Sequence, residues 1–476
     1  METPKSLKTF MLHAAMMMVG YISIRYSLAL FLSQNHLSLD TSFTIVTSAF
    51  ALQVLCGFFW GFILRKIPAP AHAKLVMIGG FMAVVGTFII STLCYFEIAI
   101  LIGIALYVTG ISLYLVNFQA LTNAYANDDK TRTYFNQKIA LYLNSGALLG
   151  LLIGSWLSAF LSQLLPSAEY PVLYLLSCIS ILFSLHLIET HKRSFVEISP
   201  AEGTTSLKSP LWLPAIIILM AISVFSLLTE AFLARLIILS SFVLFFSWEF
   251  IFGKLSSRDS LKLLSTSIGN LCYTASIVVL FVSFGVFISH SGISAGWGAR
   301  MPSLFFYIFD PVANILMGTL IVKYLQRLLP SNSYLLIGTF VLGIAFLLPI
   351  VGSLLSENFQ HISSIYVIMV ILMFGAGEFL LAPALISQMI SLAKHPSELR
   401  YYSGLMQLCS AAGLVIGYYV ISMTTGTSSV PAWLGEIPLC AIQGCAFFVA
   451  FILMGAITLW MHYSSRNDDN HGSSHE

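Results

Sequence analysis

The chain has 476 residues, of which 58% are apolar and only 9% are Asp, Glu, Lys or Arg, and its mean hydropathy is +0.90. Soluble domains carry roughly a quarter charged residues, so a water-soluble fold is excluded and an all-α integral membrane protein is expected. The formal net charge of +2 gives no footprint for a nucleic-acid partner.

Apolar stretches of about 20 residues, the length that crosses a hydrocarbon core of roughly 30 Å, recur between short polar loops. They fall at about 8–32, 41–64, 75–95, 98–122, 136–163, 171–188, 211–230, 236–253, 266–290, 304–322, 333–354, 364–392, 402–424 and 437–462. Charge supports this count of fourteen, because Lys and Arg gather in alternate loops. With both termini cytoplasmic, eighteen of the twenty-two basic residues fall inside, Arg235 and Arg300 fall outside, and Arg25 and Lys138 lie within spans. This predicts a multi-pass membrane protein with both termini cytoplasmic.

The first apolar run is too long for a signal-peptide core and carries Arg25 in YISIRYSLAL, so it is expected to stay as a span. An intramembrane charge needs a cavity or a partner, which makes Arg25 a candidate binding residue, with snorkelling to the outer end as the alternative. In the fifth run, Lys138, Tyr142, Gly146, Gly150 and Gly154 repeat every fourth residue, with Asn144 and Ser145 beside them. Small residues in such a row permit close helix contact, so the glycines are expected to serve packing. Lys138 is open to snorkelling or to substrate contact.

The longest polar stretch, 189–210, reads as a linker. The predicted organisation is a six-helix bundle at 1–190, the linker with two extra central helices at 191–262, a second six-helix bundle at 263–463 and a tail at 464–476. Six plus six is the arrangement of the major facilitator fold. Glu230 and Glu249, in the extra helices, read as interfacial.

In the run at 304–322, Asp310 precedes Pro311, which cannot donate to the carbonyl of Tyr307 and leaves a free acceptor. Asn314 follows one turn on and continues a polar stripe, although an Asp capping a helix start is an equally open reading. Glu378, in GAGEFLLAP, is a carboxylate within a span with no basic neighbour in sequence, and Pro383 stands just beyond it. The seven cysteines show no CxxC spacing, so no disulfide framework or zinc site is expected. No cofactor is expected either. An enzyme is not expected, because His36, His72, His361 and His395 are scattered and neither HExxH nor a glycine-rich phosphate loop is present.

Four segments carry a family resemblance: YISIRYSLALFL, TRTYFNQKIALYLNSGALLGLLIG, FYIFDPVANILMGTL, and GEFLLAPALISQMISLAKHPSELRYYSGLMQL. In order and spacing they resemble the first-helix, fifth-helix, eighth-helix and tenth-helix motifs of the proton-dependent oligopeptide transporter family, whose bacterial members also have two inserted helices. The resemblance implies a transporter that imports di- or tripeptides with protons by alternating access, and a monomer in the lipid bilayer of a bacterial inner membrane is expected. It makes Arg25 the carboxylate-binding cation, Asn144 a polar contact, and Glu378 the acid that receives a peptide's amino end. Asp310 stands where the family has Asn. Substrate contacts are thus expected from Arg25, Asn144, Asp310, Glu378, Lys138, Tyr142 and Asn314, with Glu378 and Asp310 coupling protons.

The departures from the family pattern are specific. Tyr21 and Ile24 replace both glutamates of the first-helix motif, Leu28 and Ala29 replace two tyrosines, and the fourth-helix Lys-Pro-Asn reads Leu115, Val116, Asn117. The seventh-helix acid aligns with Ser289, beside His290. Loss of these groups leaves open a transporter of another small zwitterion, such as an amino acid or a drug-like solute, that is not proton-coupled.

Overall fold

A computed structural model describes residues 5–35, 39–64, 72–124, 126, 129–164, 169–196, 236, 238–247, 257–290, 302–321, 324, 331–355, 364–395, 398–425, 452 and 455–456. These residues form helices and no strand: α1 (Lys5–Asn35), α2 (Leu39–Leu64), α3 (His72–Thr92), α4 (Glu97–Asn123), α5 (Asp129–Leu164) and α6 (Glu169–Val196). After the short α7 (Ile238–Ser247) come α8 (Ser257–His290), α9 (Pro302–Leu320), α10 (Ser331–Leu355), α11 (Ser364–Ile390) and α12 (Leu399–Thr425). Four of them hold segments long and apolar enough to cross a membrane: Ala73–Thr92, Glu97–Asn123, Tyr170–Thr190 and Ile368–Ile390. The predicted span at 211–230, most of that at 437–462, most of the linker and the tail lie outside the described residues.

The residues fall into two compact units, Met1–Ser240 with Ala393–Ala411, and Ser241–Leu392 with Ala412–Glu476. In a bilayer, apolar side chains gain little by leaving lipid, so close backbone approach and interhelical hydrogen bonds carry the association. The first unit uses both. A Cβ on Gly146 of α5 would lie 2.2 Å from the Ala15 carbonyl oxygen of α1, and one on Gly150 would lie 2.7 Å from that of Val19. The glycines of the fifth run therefore serve packing, as their spacing predicts. A second glycine seam joins α3 to α4, where a Cβ on Gly86 would meet the Tyr107 amide nitrogen at 2.5 Å.

Hydrogen bonds fix the opposite side of α1. Ser180 Oγ donates to the Met16 carbonyl at 2.9 Å, and Ser184 Oγ to the His13 carbonyl at 3.1 Å. His13 is fully buried, with Nδ1 2.7 Å from the Ser184 carbonyl oxygen and Nε2 2.9 Å from the Tyr114 hydroxyl. A carbonyl only accepts, so Nδ1 carries the proton and Nε2 accepts from Tyr114, which joins α1, α4 and α6 through one imidazole.

The start of α12 lies against α2 within the same unit. A Cβ on Gly61 would be 2.5 Å from the Arg400 carbonyl oxygen, and one on Gly404 would be 3.0 Å from that of Gly57. Arg400, fully buried, donates from Nη1 to the carbonyl of Leu64, the last residue of α2, at 2.9 Å. A cation there satisfies a carbonyl with no partner inside its own helix and meets the negative end of the helix dipole.

In the second unit, α9 and α11 each keep a proline inside the helix, Pro311 and Pro383. Gly375 of α11 faces Ala313 of α9, and Gly377 faces Leu342 of α10, with Cβ clearances of 2.8 Å in each case. Near one end of α11, Lys262 of α8 donates to Ser391 Oγ, and Thr266 Oγ1 donates to Gln388 Oε1 at 3.1 Å. These contacts hold α8, α9 and α11 in register and bring their polar residues together.

Candidate functional site

Of the seven binding residues expected from sequence, three meet. Asp310 and Asn314 stand one turn apart on α9, and Asn314 Nδ2 donates to Asp310 Oδ1 at 3.2 Å. The same nitrogen donates at 2.9 Å to Glu378 Oε2, on α11. Tyr273 of α8 donates its hydroxyl to Glu378 Oε1 at 2.7 Å, and the carboxyls of Asp310 and Glu378 are joined through the Asn314 amide. The glycine contact at Gly375 is what lets α11 come near enough to α9 for one amide to serve both acids.

Asp310 is 9% exposed and stands inside α9, which rules out the helix-start reading of this residue. Asn314 is 1% exposed, and its Oδ1 has no hydrogen-bond partner among the described residues. Glu378 is half-buried. Neither acid forms an ion pair among the described residues. The cluster therefore presents two carboxyls and an amide oxygen as acceptors, an arrangement suited to a proton or to the N–H groups of a cation.

Sequence reasoning passed over Tyr273. Nothing marks it out in NLCYTASIV, because a tyrosine in an apolar run has the same local pattern whether its hydroxyl meets an acid or another acceptor. Ser289 and His290, aligned with the family's seventh-helix acid, lie at the end of α8, and their side chains are outside those described.

The other four expected residues belong to the first unit. Arg25 is exposed, and its Nη1 lies 3.4 Å from the Tyr21 hydroxyl, with the guanidinium carbon 5.9 Å from the ring centroid. Tyr21, in the place of a family glutamate, donates to Gln53 Oε1 at 3.3 Å. Tyr107 in turn donates to the Tyr21 carbonyl at 3.4 Å. On α5, Lys138 is half-buried with its ammonium 5.8 Å from the Tyr134 ring, and Tyr142, also half-buried, follows one turn on. Asn144 Nδ2 donates back to the Ala140 carbonyl at 2.9 Å, which leaves its Oδ1 to act as an acceptor. Asn117, which keeps the last residue of the fourth-helix motif, is fully buried and donates to the Leu113 carbonyl at 2.8 Å.

No protein-family model matches the chain, and no curated protein does. Solved structures match it over nearly its whole length. A structure of proton-dependent oligopeptide transporters superposes with a TM-score of 0.70 at 16% identity, covering 96% of this chain and 99% of that one. The chain has the oligopeptide-transporter fold. A transporter of that fold in complex with 5-aminolevulinic acid gives a TM-score of 0.69 at 15% identity, covering 96% of this chain and 97% of the other. The tetrameric peptide transporter PepTSo2 gives 0.70 at 16%, covering 97% and 98%. With this fold and its apolar helices the chain is a multi-pass membrane protein.

Proposed function

We propose that the chain is a divergent member of the proton-dependent oligopeptide transporter family, importing di- and tripeptides with protons by alternating access. The observation that carries this reading is the meeting of Asp310, Asn314, Glu378 and Tyr273 in one hydrogen-bonded cluster without a basic partner among the described residues. An uncompensated acid inside a membrane helix is costly, and proton relays and substrate sites are where such groups persist.

In this reading Glu378 receives the peptide's amino end, and Arg25 receives its carboxylate. Asp310, joined to Glu378 through the Asn314 amide, is the second acid of the coupling site. Asn314 and Tyr273 orient Glu378 by occupying one oxygen each. Lys138, Tyr142 and Asn144 add polar contacts from α5. The coupling role that the family gives to first-helix glutamates, absent here, falls to Asp310 and Glu378.

The test is uptake of a labelled dipeptide into proteoliposomes with and without an inward proton gradient. Gradient-driven uptake is expected, lost in Glu378→Gln and weakened in Arg25→Ala for substrates with a free carboxylate. Normal gradient-driven uptake by Glu378→Gln removes that residue from the coupling role. A second reading, transport of another small zwitterion, draws on the replacement of the fourth-helix Lys by Leu115, which leaves fewer cations for a peptide carboxylate. Competition of dipeptide uptake by amino acids and δ-amino acids separates the two.

A further inference from the structure

The first unit builds the same device twice, a cation seated on the tyrosine one turn before it. In YISIR of α1 the guanidinium carbon of Arg25 lies 5.9 Å from the ring centroid of Tyr21. In YFNQK of α5 the Lys138 ammonium lies 5.8 Å from that of Tyr134. Each cation leans back toward the N-terminus of its helix, the direction that helical side chains take, and is held there by the face of the ring.

The glycine contacts of α5 fix how far apart the two pairs stand. Gly146, Gly150 and Gly154 meet Ala15, Val19 and Ser23 of α1 in turn, and Ser23 Oγ donates to the Gly150 carbonyl at 3.1 Å. A step of four residues on one helix matches a step of four on the other, so the two run parallel, and Lys138 is level with Leu7. Arg25 lies beyond that level by about 27 Å at 1.5 Å per residue. Because both cations lean the same way, their charged groups keep that separation. An extended chain spans at most about 3.6 Å per residue, so about 7 Å for a dipeptide and about 11 Å for a tripeptide. No such substrate reaches both cations. Asn144, by contrast, stands about 9 Å from Lys138 along α5, between those two lengths. Its Nδ2 donates to the Ala140 carbonyl, which leaves Oδ1 as an acceptor, and half-buried Tyr142 stands between it and Lys138.

We infer that the first unit binds the substrate's carboxylate at two stations in succession, Arg25 toward the outer face and Lys138 toward the cytoplasmic face, the second extending along α5 to Asn144. The inference rests on the peptide-transport reading given above, with the N-termini of α1 and α5 cytoplasmic as the distribution of Lys and Arg indicates. At the inner station the Lys138 ammonium and the Tyr142 hydroxyl donate to the carboxylate, and Asn144 Oδ1 accepts from an N–H of the peptide. Arg25 and the polar residues of α5 thus serve different steps of one passage and not one pocket.

The test is the sidedness of two variants. Initial-rate uptake of labelled alanyl-alanine is measured in intact cells, which present the outer face, and in inverted membrane vesicles, which present the cytoplasmic face. Arg25→Ala is expected to raise KM about tenfold or more in cells and to leave it unchanged in inverted vesicles, and Lys138→Ala to do the reverse, the scale of one hydrogen bond to a charged group. The unaffected direction shows that each variant is folded, and Lys138→Met, which keeps the length of the side chain, replaces Lys138→Ala if that variant is not. Inhibition by alanyl-alanine amide, which has no carboxylate, should be the same in wild type and variants from either side. An unchanged KM from both sides in Lys138→Ala assigns its ammonium to the membrane interface and overturns the inference. So does a raised KM from the same side in both variants, the result of a single pocket. Absence of alanyl-alanine uptake by wild-type protein from either side overturns the peptide reading and the inference with it.

Discussion

The three glycines of α5 supply a graded test of how α1 is held. A Cβ would lie 2.2 Å from its nearest neighbour at Gly146 and 2.7 Å at Gly150, both facing backbone oxygen, but 3.5 Å at Gly154, facing Ser23 Oγ. Ordinary contact begins at 3.4 Å, so Gly146→Ala requires α1 and α5 to part locally by about 1 Å, Gly150→Ala by somewhat less, and Gly154→Ala not at all. Overpacking costs about 1–3 kcal/mol, and replacing Gly by Ala inside a helix returns about 0.5–1 kcal/mol. The expected order is a loss of about 1–2 kcal/mol for Gly146→Ala, a smaller loss for Gly150→Ala, and neutrality or slight gain for Gly154→Ala. Thermal unfolding of the detergent-purified variants, followed by intrinsic fluorescence, reads this as melting-temperature shifts of up to a few degrees. Dipeptide uptake should fall in the same order, because α1 also carries Arg25, about 15 Å further along the helix at 1.5 Å per residue. Equal shifts at the three positions, or the largest loss at Gly154, would refute the seam.

Three other perturbations follow from single contacts. Tyr114→Phe removes the donor to His13 Nε2 and strands a buried acceptor, which should destabilise the protein by about 1–3 kcal/mol; a melting temperature equal to wild type would show that the imidazole is satisfied otherwise. Arg400→Ala uncaps the Leu64 carbonyl and empties a fully buried volume. It should lower thermal stability more than Lys74→Ala, an exposed control, by about 2 kcal/mol or more. Tyr273→Phe keeps the ring but removes the hydroxyl that donates to Glu378 Oε1 at 2.7 Å and helps to orient that carboxyl. Gradient-driven dipeptide uptake should therefore fall by about tenfold in this variant, the scale of one hydrogen bond to a charged group, and unchanged uptake would remove Tyr273 from the coupling site.

The sequence alone determined the membrane class, because a bilayer leaves a backbone few choices: apolar runs of span length must be helices that satisfy their own hydrogen bonds. It also marked the packing seam, since Gly146, Gly150 and Gly154 share one face whatever lies opposite. Asp310 and Glu378 were legible as ionisable groups in apolar runs, because such residues are rare enough there to stand out singly. Their partnership was not legible. Asn314 and Glu378 are separated by 64 residues, and Tyr273 and Glu378 by 105, so only the packing of α8, α9 and α11, close at glycine between α9 and α11, decides that one amide and one phenol serve the same acid. His13 shows the same limit, since its neighbours in AAMMM are silent and the acceptor for Nδ1 lies 171 residues away on α6. Local pattern reports which residues are out of place in lipid, and only the tertiary structure assigns each its partner, because hydrogen bonds between helices depend on distances that no single helix contains.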